Sequence, residues 1–289
     1  GPLIVPTTLT QYQKATVPLP PKLFSHNDQQ SIWQSSSPEG SKVGWGGNIG
    51  DLAMSGNTQS GFTCISVTGN AVYLSGDQAL QYQVTTNGAV RINSAYVSPS
   101  NVASSTYGST AVTNAMHALI QQSRAHKLEN EYNKVTARSI AAEGAVTTAL
   151  AASTPTTFTF PSGNSLADQL NLVARLISAR STLGVKRQVF MVSLGGFDLH
   201  DNLISQQPTL MKRVSEAMTA FYDATVELGV ADKVTAFTAS DFGRTLSSNG
   251  DGSDHGWGSH HFMVGGAVKG KALYGKAPPV SRATVASHW

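Results

Sequence analysis

Apolar residues recur along this chain in two rhythms, one of three and four positions and one of two, and the rhythm changes from segment to segment. Up to Pro21 the chain reads as extended and proline-punctuated. Residues 22–25 lead into a run that can be helical over 26–34, with Ser25 at the N-cap position, where its hydroxyl can accept from a first-turn N–H. Residues 35–61 are Gly, Ser and Asn with aromatic interruptions, the pattern of a long loop that carries residues rather than a hydrophobic element. The period then drops to two. Short β-like runs at 62–67, 71–74, 81–85 and 89–93 are separated by Gly-Asn, Gly-Asp and Asn-Gly, and predict a small antiparallel, β-rich excursion over about residues 60–105.

From residue 113 to about 150, Ala, Met, Leu and Ile recur at helical spacing with few breakers, which predicts one long helix or a broken pair. Residues 166–181 repeat the pattern with Leu166, Leu170, Val173, Leu176 and Ile177 on one face. In the last third, 188–193 is a short apolar run, 211–228 is amphipathic, and 234–239 and 262–268 are further apolar runs. Strand, helix and strand in that order imply a parallel βαβ unit. The fold class is therefore α/β.

Composition narrows the function. The 289 residues carry 13% charged side chains, against roughly 25% in an average soluble domain, and the polarity comes from Ser, Thr, Asn, Gln and Gly. The formal charge of +3 arises from scattered basic residues, which speaks against nucleic acid as a partner. No stretch approaches the roughly 18 apolar residues of a membrane span. Cys64 is the only cysteine, so intrachain disulfides and thiolate metal clusters are excluded, and it reads as a small buried hydrophobe. Gly1 to Pro6 and Ser281 to Trp289 both read as the middle of something, and the expectation is an internal portion of a longer product.

The chemistry concentrates beside the apolar runs. After the first comes Gly195-Gly196-Phe197-Asp198-Leu199-His200-Asp201, after the second Ser240-Asp241-Phe242-Gly243-Arg244, and before the third a Gly-rich stretch holding Asp251, Asp254, His255, His260 and His261. Loops at the carboxyl ends of parallel strands converge on one crevice, so these acids and imidazoles can meet. Mixed imidazole and carboxylate donors suit zinc, manganese or iron better than calcium, and a two-metal centre is conceivable. Asp198 and His200, two apart in an extended run, can ligate one ion. Adjacent His260 and His261 face opposite sides, so one of them is expected to be a non-ligand. The bland alternative is a set of tight turns with no metal, in which Gly252, Gly256 and Gly258 serve backbone geometry alone.

Arg244 can hold an oxyanion bidentately or pair with Asp241 or Asp251. Ser25 can be a nucleophile favoured by the following helix N-terminus, or an ordinary N-cap, and His26 stands beside it. Trp33, Trp45 and Trp257 can shape a pocket wall or anchor local packing.

Leu23-Phe24-Ser25-His26-Asn27-Asp28-Gln29-Gln30, Gly195 to His200, Ser240-Asp241-Phe242-Gly243-Arg244-Thr245, Asp254-His255-Gly256-Trp257-Gly258-Ser259-His260-His261 and Gly265-Gly266-Ala267-Val268-Lys269-Gly270 together resemble the bacterial family of unknown function numbered fifteen hundred and one. That family is usually exported by the twin-arginine route and looks like a distant member of the alkaline phosphatase and sulfatase superfamily. The resemblance covers nearly the whole chain. It implies one domain with a three-layer α/β/α sandwich and a metal-dependent hydrolase site on its rim, in the periplasm or secreted. Carried over, Asp198 and His200 form the first ligand set, Asp241 the second, and Asp254, His255 and His260 or His261 the last. The superfamily's second-strand Asp-His pair reads Asp241-Phe242 here, so the second metal is lost or held by Asp254 and His255. Family members also begin with a strand and a Gly-Gly-Asn-Asp type loop that is not in this sequence, and a partner fragment, an oligomer or a further segment of the molecule could supply that carboxylate.

The resulting expectation is a zinc- or manganese-dependent hydrolase of phosphate or sulfate esters, with Ser25 attacking, His26 beside it and Arg244 on the ester's free oxygens. The alternative is a non-catalytic extracellular assembly or binding protein that keeps the fold. A third reading is carbohydrate binding through exposed tryptophans.

Overall fold

Cys64 and Ile65 are consecutive in one strand, so their side chains leave opposite faces of a sheet and enter different hydrophobic cores. The structure, a computed structural model, describes residues 9–13, 16, 22–38, 40–92, 106–153, 157, 159–256 and 258–275. Expectations for 1–8, for most of 14–21, for Asn93, for Trp257 and for 276–289 fall outside the described residues.

Four strands, β1 (Cys64–Ser66), β2 (Gln81–Thr85), β3 (Gly88–Ala89) and β4 (Val189–Met191), form one sheet in the order β3-β2-β1-β4. β1 is parallel to both β2 and β4, with Cys64 opposite Gln81 on one side and Val189 on the other. Only β2 and β3 make the expected antiparallel hairpin, closed where Gly88 takes φ +105°. The excursion is thus not an antiparallel appendage, because β1 is central to the sheet. The run at 71–74 is not a strand either. Val72–Leu74 coils into a 3-10 turn that buries Tyr73 and Leu74, and this turn carries the chain from β1 to the parallel β2.

Along the chain the helices are α1 (Leu9–Gln13), α2 (His26–Ser35), α3 (Trp45–Ala53), α4 (Thr110–Leu119), α5 (Lys127–Ala152), α6 (Ser165–Ser178) and α7 (Leu203–Glu227). α1 interrupts a segment expected to be extended. α4 and α5 are the broken pair, and α6 buries Leu166, Leu170, Val173, Leu176 and Ile177 as its spacing requires. α7 starts eight residues before its apolar period does, because most of its first two turns are exposed and carry no periodic signal. α5, α6 and α7 pack with Ile65, Val84 and Phe190 in the larger core. On the other face Cys64, Tyr73, Leu74 and Ala79 pack with Trp33, Trp45, Val189 and Met191. Burying a side chain such as Ile65, which has no exposed surface, contributes about 1.5–3 kcal/mol. Among the described residues no helix is long and apolar enough to cross a membrane.

The last third departs from a parallel βαβ unit. β5 (Ala236–Phe237) pairs antiparallel with β6 (Met263–Val264), in a sheet separate from that of β4. Val234, Ala236 and Val264 nevertheless pack against the larger core, which anchors the loops on either side of this ribbon.

α3 occupies a stretch expected to be a loop. Its glycines read as breakers, yet Gly46, Gly47 and Gly50 are buried, and a Cβ on them would lie 2.5 Å from the Tyr73 ring, 2.1 Å from the Ser75 carbonyl and 2.4 Å from Cys64 Sγ respectively. The glycines cost helix propensity, about 1 kcal/mol each, and in return allow α3 to sit against backbone. Burial raises the Cys64 thiol to about 11, with the nearby Asp51 charge adding to the rise. Trp45 stacks on Phe237, meets the Tyr73 ring edge-on and donates from Nε1 to the Trp33 carbonyl at 2.8 Å. Both tryptophans therefore serve as packing anchors.

Gly50→Ala is expected to destabilise the protein by about 1–3 kcal/mol through overpacking. Gly61→Ala, where a Cβ meets nothing within 4 Å, is expected to stay within about 0.5 kcal/mol. Urea unfolding separates the two, and adding Cys64→Ala should relieve part of the Gly50→Ala penalty. Asp51 accepts from the N–H groups of Ala79, Gln78 and Asp77, and these bonds, the Ala79 bond foremost, hold its carboxyl below its ordinary value. The stabilisation is present above the ordinary carboxylate range and is lost as pH falls through the depressed folded value. Asp51→Asn should accordingly flatten the acid limb of a stability-versus-pH curve.

Candidate metal centre

His26 is the first residue of α2, and its position is fixed by the residue before it. Ser25 caps the helix, accepting from Asp28 N at 3.3 Å while its Oγ donates to Asp28 Oδ2 at 2.7 Å. Asp28 is only 2% exposed and also meets Lys22 Nζ at 3.4 Å. The cap holds the His26 ring toward loops that arrive from the other end of the chain.

Asp198 and His200 follow β4, at the carboxyl edge shared by the parallel strands β1, β2 and β4, as the geometry of parallel sheets favours. Gly196 takes φ +97° in the turn that leads to them. Asp241 and Arg244 follow β5. The Gly-rich stretch folds back on that loop, with Arg244 N donating to Gly258 O, Thr245 N to Asp254 O and Gly256 N to Gly243 O. A Cβ on Gly243 would lie 2.6 Å from the Gly258 carbonyl, and one on Gly252 would lie 2.2 Å from that of His200. The turn-forming role of these glycines and the assembly of the cluster are thus one fact.

Three imidazole Nε2 atoms converge on the Asp198 carboxylate. His255 Nε2 is 2.7 Å and His200 Nε2 3.0 Å from Oδ1, and His26 Nε2 is 3.4 Å from Oδ2. Two of the rings are braced from behind. His26 Nδ1 donates to Asp241 Oδ2 at 2.6 Å, and His200 Nδ1 donates to Asp254 Oδ1 at 3.0 Å. A ring that gives its Nδ1 proton away presents a lone pair at Nε2 when neutral. Those lone pairs face an anionic carboxylate, so the arrangement needs protons or a cation between them. Among the described residues, His26, Asp198 and His255 each offer a ligand atom, all within 4.8 Å of one another.

Arg244 Nη1 donates to Asp198 Oδ1 at 3.0 Å, so its ion-pair partner is Asp198 and not Asp241 or Asp251. Partial burial pushes the Asp198 carboxyl up, but the His255 hydrogen bond and the charges of His255, His200 and Arg244 outweigh it and hold it below the ordinary value. Asp254 is lowered chiefly by its hydrogen bond from His200 and then by that from Asn249.

Asp241 and Asp254, both expected as metal ligands, stand behind imidazoles, an outer position that fixes tautomer and ring orientation. His261 lies two residues before β6 with Nδ1 3.2 Å from Thr238 Oγ1, and among the described residues neither it nor His260 belongs to the ligand group of Asp198. Desolvation, with His260 adding to it, lowers the His261 imidazole. Two further contributors lie outside the expected ligand and catalytic residues. Asn249 Nδ2 donates to His200 O at 2.9 Å and to Asp254 Oδ1 at 3.0 Å, tying the Gly-rich loop to the post-β4 loop. Phe242 stacks on His255 at 4.4 Å and meets His26 edge-on at 5.5 Å, forming an apolar wall that limits the rotation of both rings.

No curated protein and no solved structure matches the chain. A family profile matches it over residues 2–289, almost its entire length, and the chain belongs to the family described as Protein of unknown function (DUF1501).

Proposed function

We propose that this protein is a divalent-metal-dependent hydrolase of phosphate or sulfate esters. The observation that carries the reading is the convergence of three Nε2 atoms on Asp198, two of them on rings braced by Asp241 and Asp254. That donor set fits a metal: two imidazoles whose Nδ1 atoms are held by carboxylates, a third imidazole, a carboxylate between them, and no thiolate. His26, Asp198 and His255 would hold the ion, with His200 the next donor, and the nitrogen-rich set suits zinc better than manganese, the second candidate of this reading. Bound there, such an ion supplies Lewis acidity and neutralises charge developing on the ester.

The protein's own groups supply the rest. Ser25 is the nucleophile: its Oγ–H is directed at the buried carboxylate of Asp28, which accepts the proton as Oγ attacks phosphorus or sulfur. The bond to the ester's bridging oxygen breaks with its electron pair leaving on that oxygen as the alcohol, and water then hydrolyses the seryl ester to release phosphate or sulfate and restore Ser25. His26 follows it in the chain and faces Asp198 at 3.4 Å. Arg244 orients the ester's free oxygens. The three-layer α/β/α arrangement of the alkaline phosphatase superfamily, twin-arginine export and a periplasmic or secreted location belong to the same reading. Sheet faces covered by helices on both sides support the first of these.

The test is metal analysis after dialysis against Zn2+ or Mn2+, followed by turnover of p-nitrophenyl phosphate and p-nitrophenyl sulfate. Wild type should retain stoichiometric metal, Asp198→Ala and His255→Ala should lose it, and Asp241→Asn should weaken affinity by about 10–100-fold. Ser25→Ala should keep metal and lose turnover. Wild-type protein that retains no metal, or Asp198→Ala that retains it fully, contradicts the metal site. Tight metal with no ester turnover by wild type favours the non-catalytic assembly role instead.

A further inference from the structure

Three buried side-chain polar atoms lack a hydrogen-bond partner among the described residues: Arg244 Nε, Arg244 Nη2 and Ser253 Oγ. All three lie in loops of the metal centre. Native folds rarely keep such atoms, and those they keep call for an explanation in function or in a ligand.

The Arg244 guanidinium is divided between two roles. Nη1 is committed to Asp198 Oδ1, and the central carbon lies 5.3 Å from the centre of the Phe242 ring. The other edge, Nε with Nη2, is the fork that grips an oxyanion through two parallel hydrogen bonds, and it has no acceptor. The side chain is only 19% exposed. Ser253 lies two residues before His255, whose backbone bridges to Arg244, and its own N–H donates to Leu199 O in the post-β4 loop that carries Asp198.

Asp198 Oδ1 is oversubscribed. It accepts from Arg244 and also faces His255 Nε2 and His200 Nε2. One carboxylate oxygen cannot serve a divalent cation and a guanidinium at full strength, so a cation weakens the bond that holds Nη1.

We propose that Arg244 and Ser253 form an oxyanion subsite that opens to its ligand when a divalent cation takes Asp198, so that cation and anion bind cooperatively. The proposal rests on the metal-site reading above and adds its regulation. Released from Asp198, the guanidinium turns its Nε and Nη2 edge outward, where the cation raises the positive potential further. The coupling is reciprocal: the factor by which the cation tightens the anion is the factor by which the anion tightens the cation. A centre built this way keeps its anion grip closed until the metal is loaded.

Inorganic phosphate and Mn2+ are the probes. Equilibrium dialysis gives the phosphate Kd of the full chain with and without saturating Mn2+, and metal analysis gives Mn2+ retention separately. Phosphate should bind about tenfold or more tightly with Mn2+ present. Arg244→Lys should retain Mn2+ and a wild-type circular dichroism spectrum yet reduce the coupling to less than about twofold, because Lys has no fork. Ser253→Ala should weaken phosphate several-fold in the presence of Mn2+. Equal phosphate affinity with and without Mn2+, or full coupling in Arg244→Lys, overturns the proposal while leaving the metal site standing. Wild type that retains no Mn2+ overturns both.

Discussion

One carboxylate organises this site. Asp198 gathers three imidazoles and a guanidinium that belong to segments as distant in sequence as residues 26 and 255. None of these contacts is worth much as an isolated surface ion pair, since exposed pairs contribute about 0–1 kcal/mol. Their geometry matters more. On His26 and His200, whose Nδ1 protons are held by carboxylates, an Nε2 lone pair facing the anion is repelled, so those two contacts need positive charge between ring and carboxylate. Arg244 supplies part of that charge, and the remainder is a demand for protons or a metal.

The fold meets this demand through backbone proximity more than through side-chain volume. Gly243 and Gly252 let the Gly-rich loop lie directly against carbonyls of residues 258 and 200, which brings Asp254 and His255 to the post-β4 loop. A related device recurs in α3, where Gly46 and Gly47 let the helix sit on the 3-10 turn that leads into β2 and Gly50 lets it close on Cys64 of β1. In both places the protein gives up conformational entropy for closeness, and a single added methyl group would meet main chain or a buried ring.

Those close approaches also explain what the sequence made legible. The 3.6-residue period of α6 and the Ser25 cap of α2 are local, so spacing and cap chemistry reveal them. α3 is hidden because its glycines signal a loop until the surfaces they touch are known. The strand at 64–66 reads as part of a hairpin because its true neighbours, β2 and β4, are parallel and lie 15 or more residues away. β5 departs from the βαβ reading for a similar reason: its hydrogen-bond partner is set by the Gly-rich loop that returns as β6. At the site, Asp and His after apolar runs point to the loops that meet around Asp198, yet which acid braces which ring depends on side-chain direction. Asp241 and Asp254 look like Asp198 in sequence and differ only in standing behind a histidine. Asn249 and Phe242, which fix the loops and the rings, have no compositional signature.

The central claim is that His26, Asp198 and His255 hold a metal through imidazole nitrogen and carboxylate oxygen. X-ray absorption at the zinc edge of the Zn2+-loaded protein tests it most directly. The account predicts a shell of nitrogen and oxygen at about 2.0–2.1 Å with the outer-shell scattering of at least two imidazoles. A shell of oxygen alone, without imidazole scattering, would contradict it.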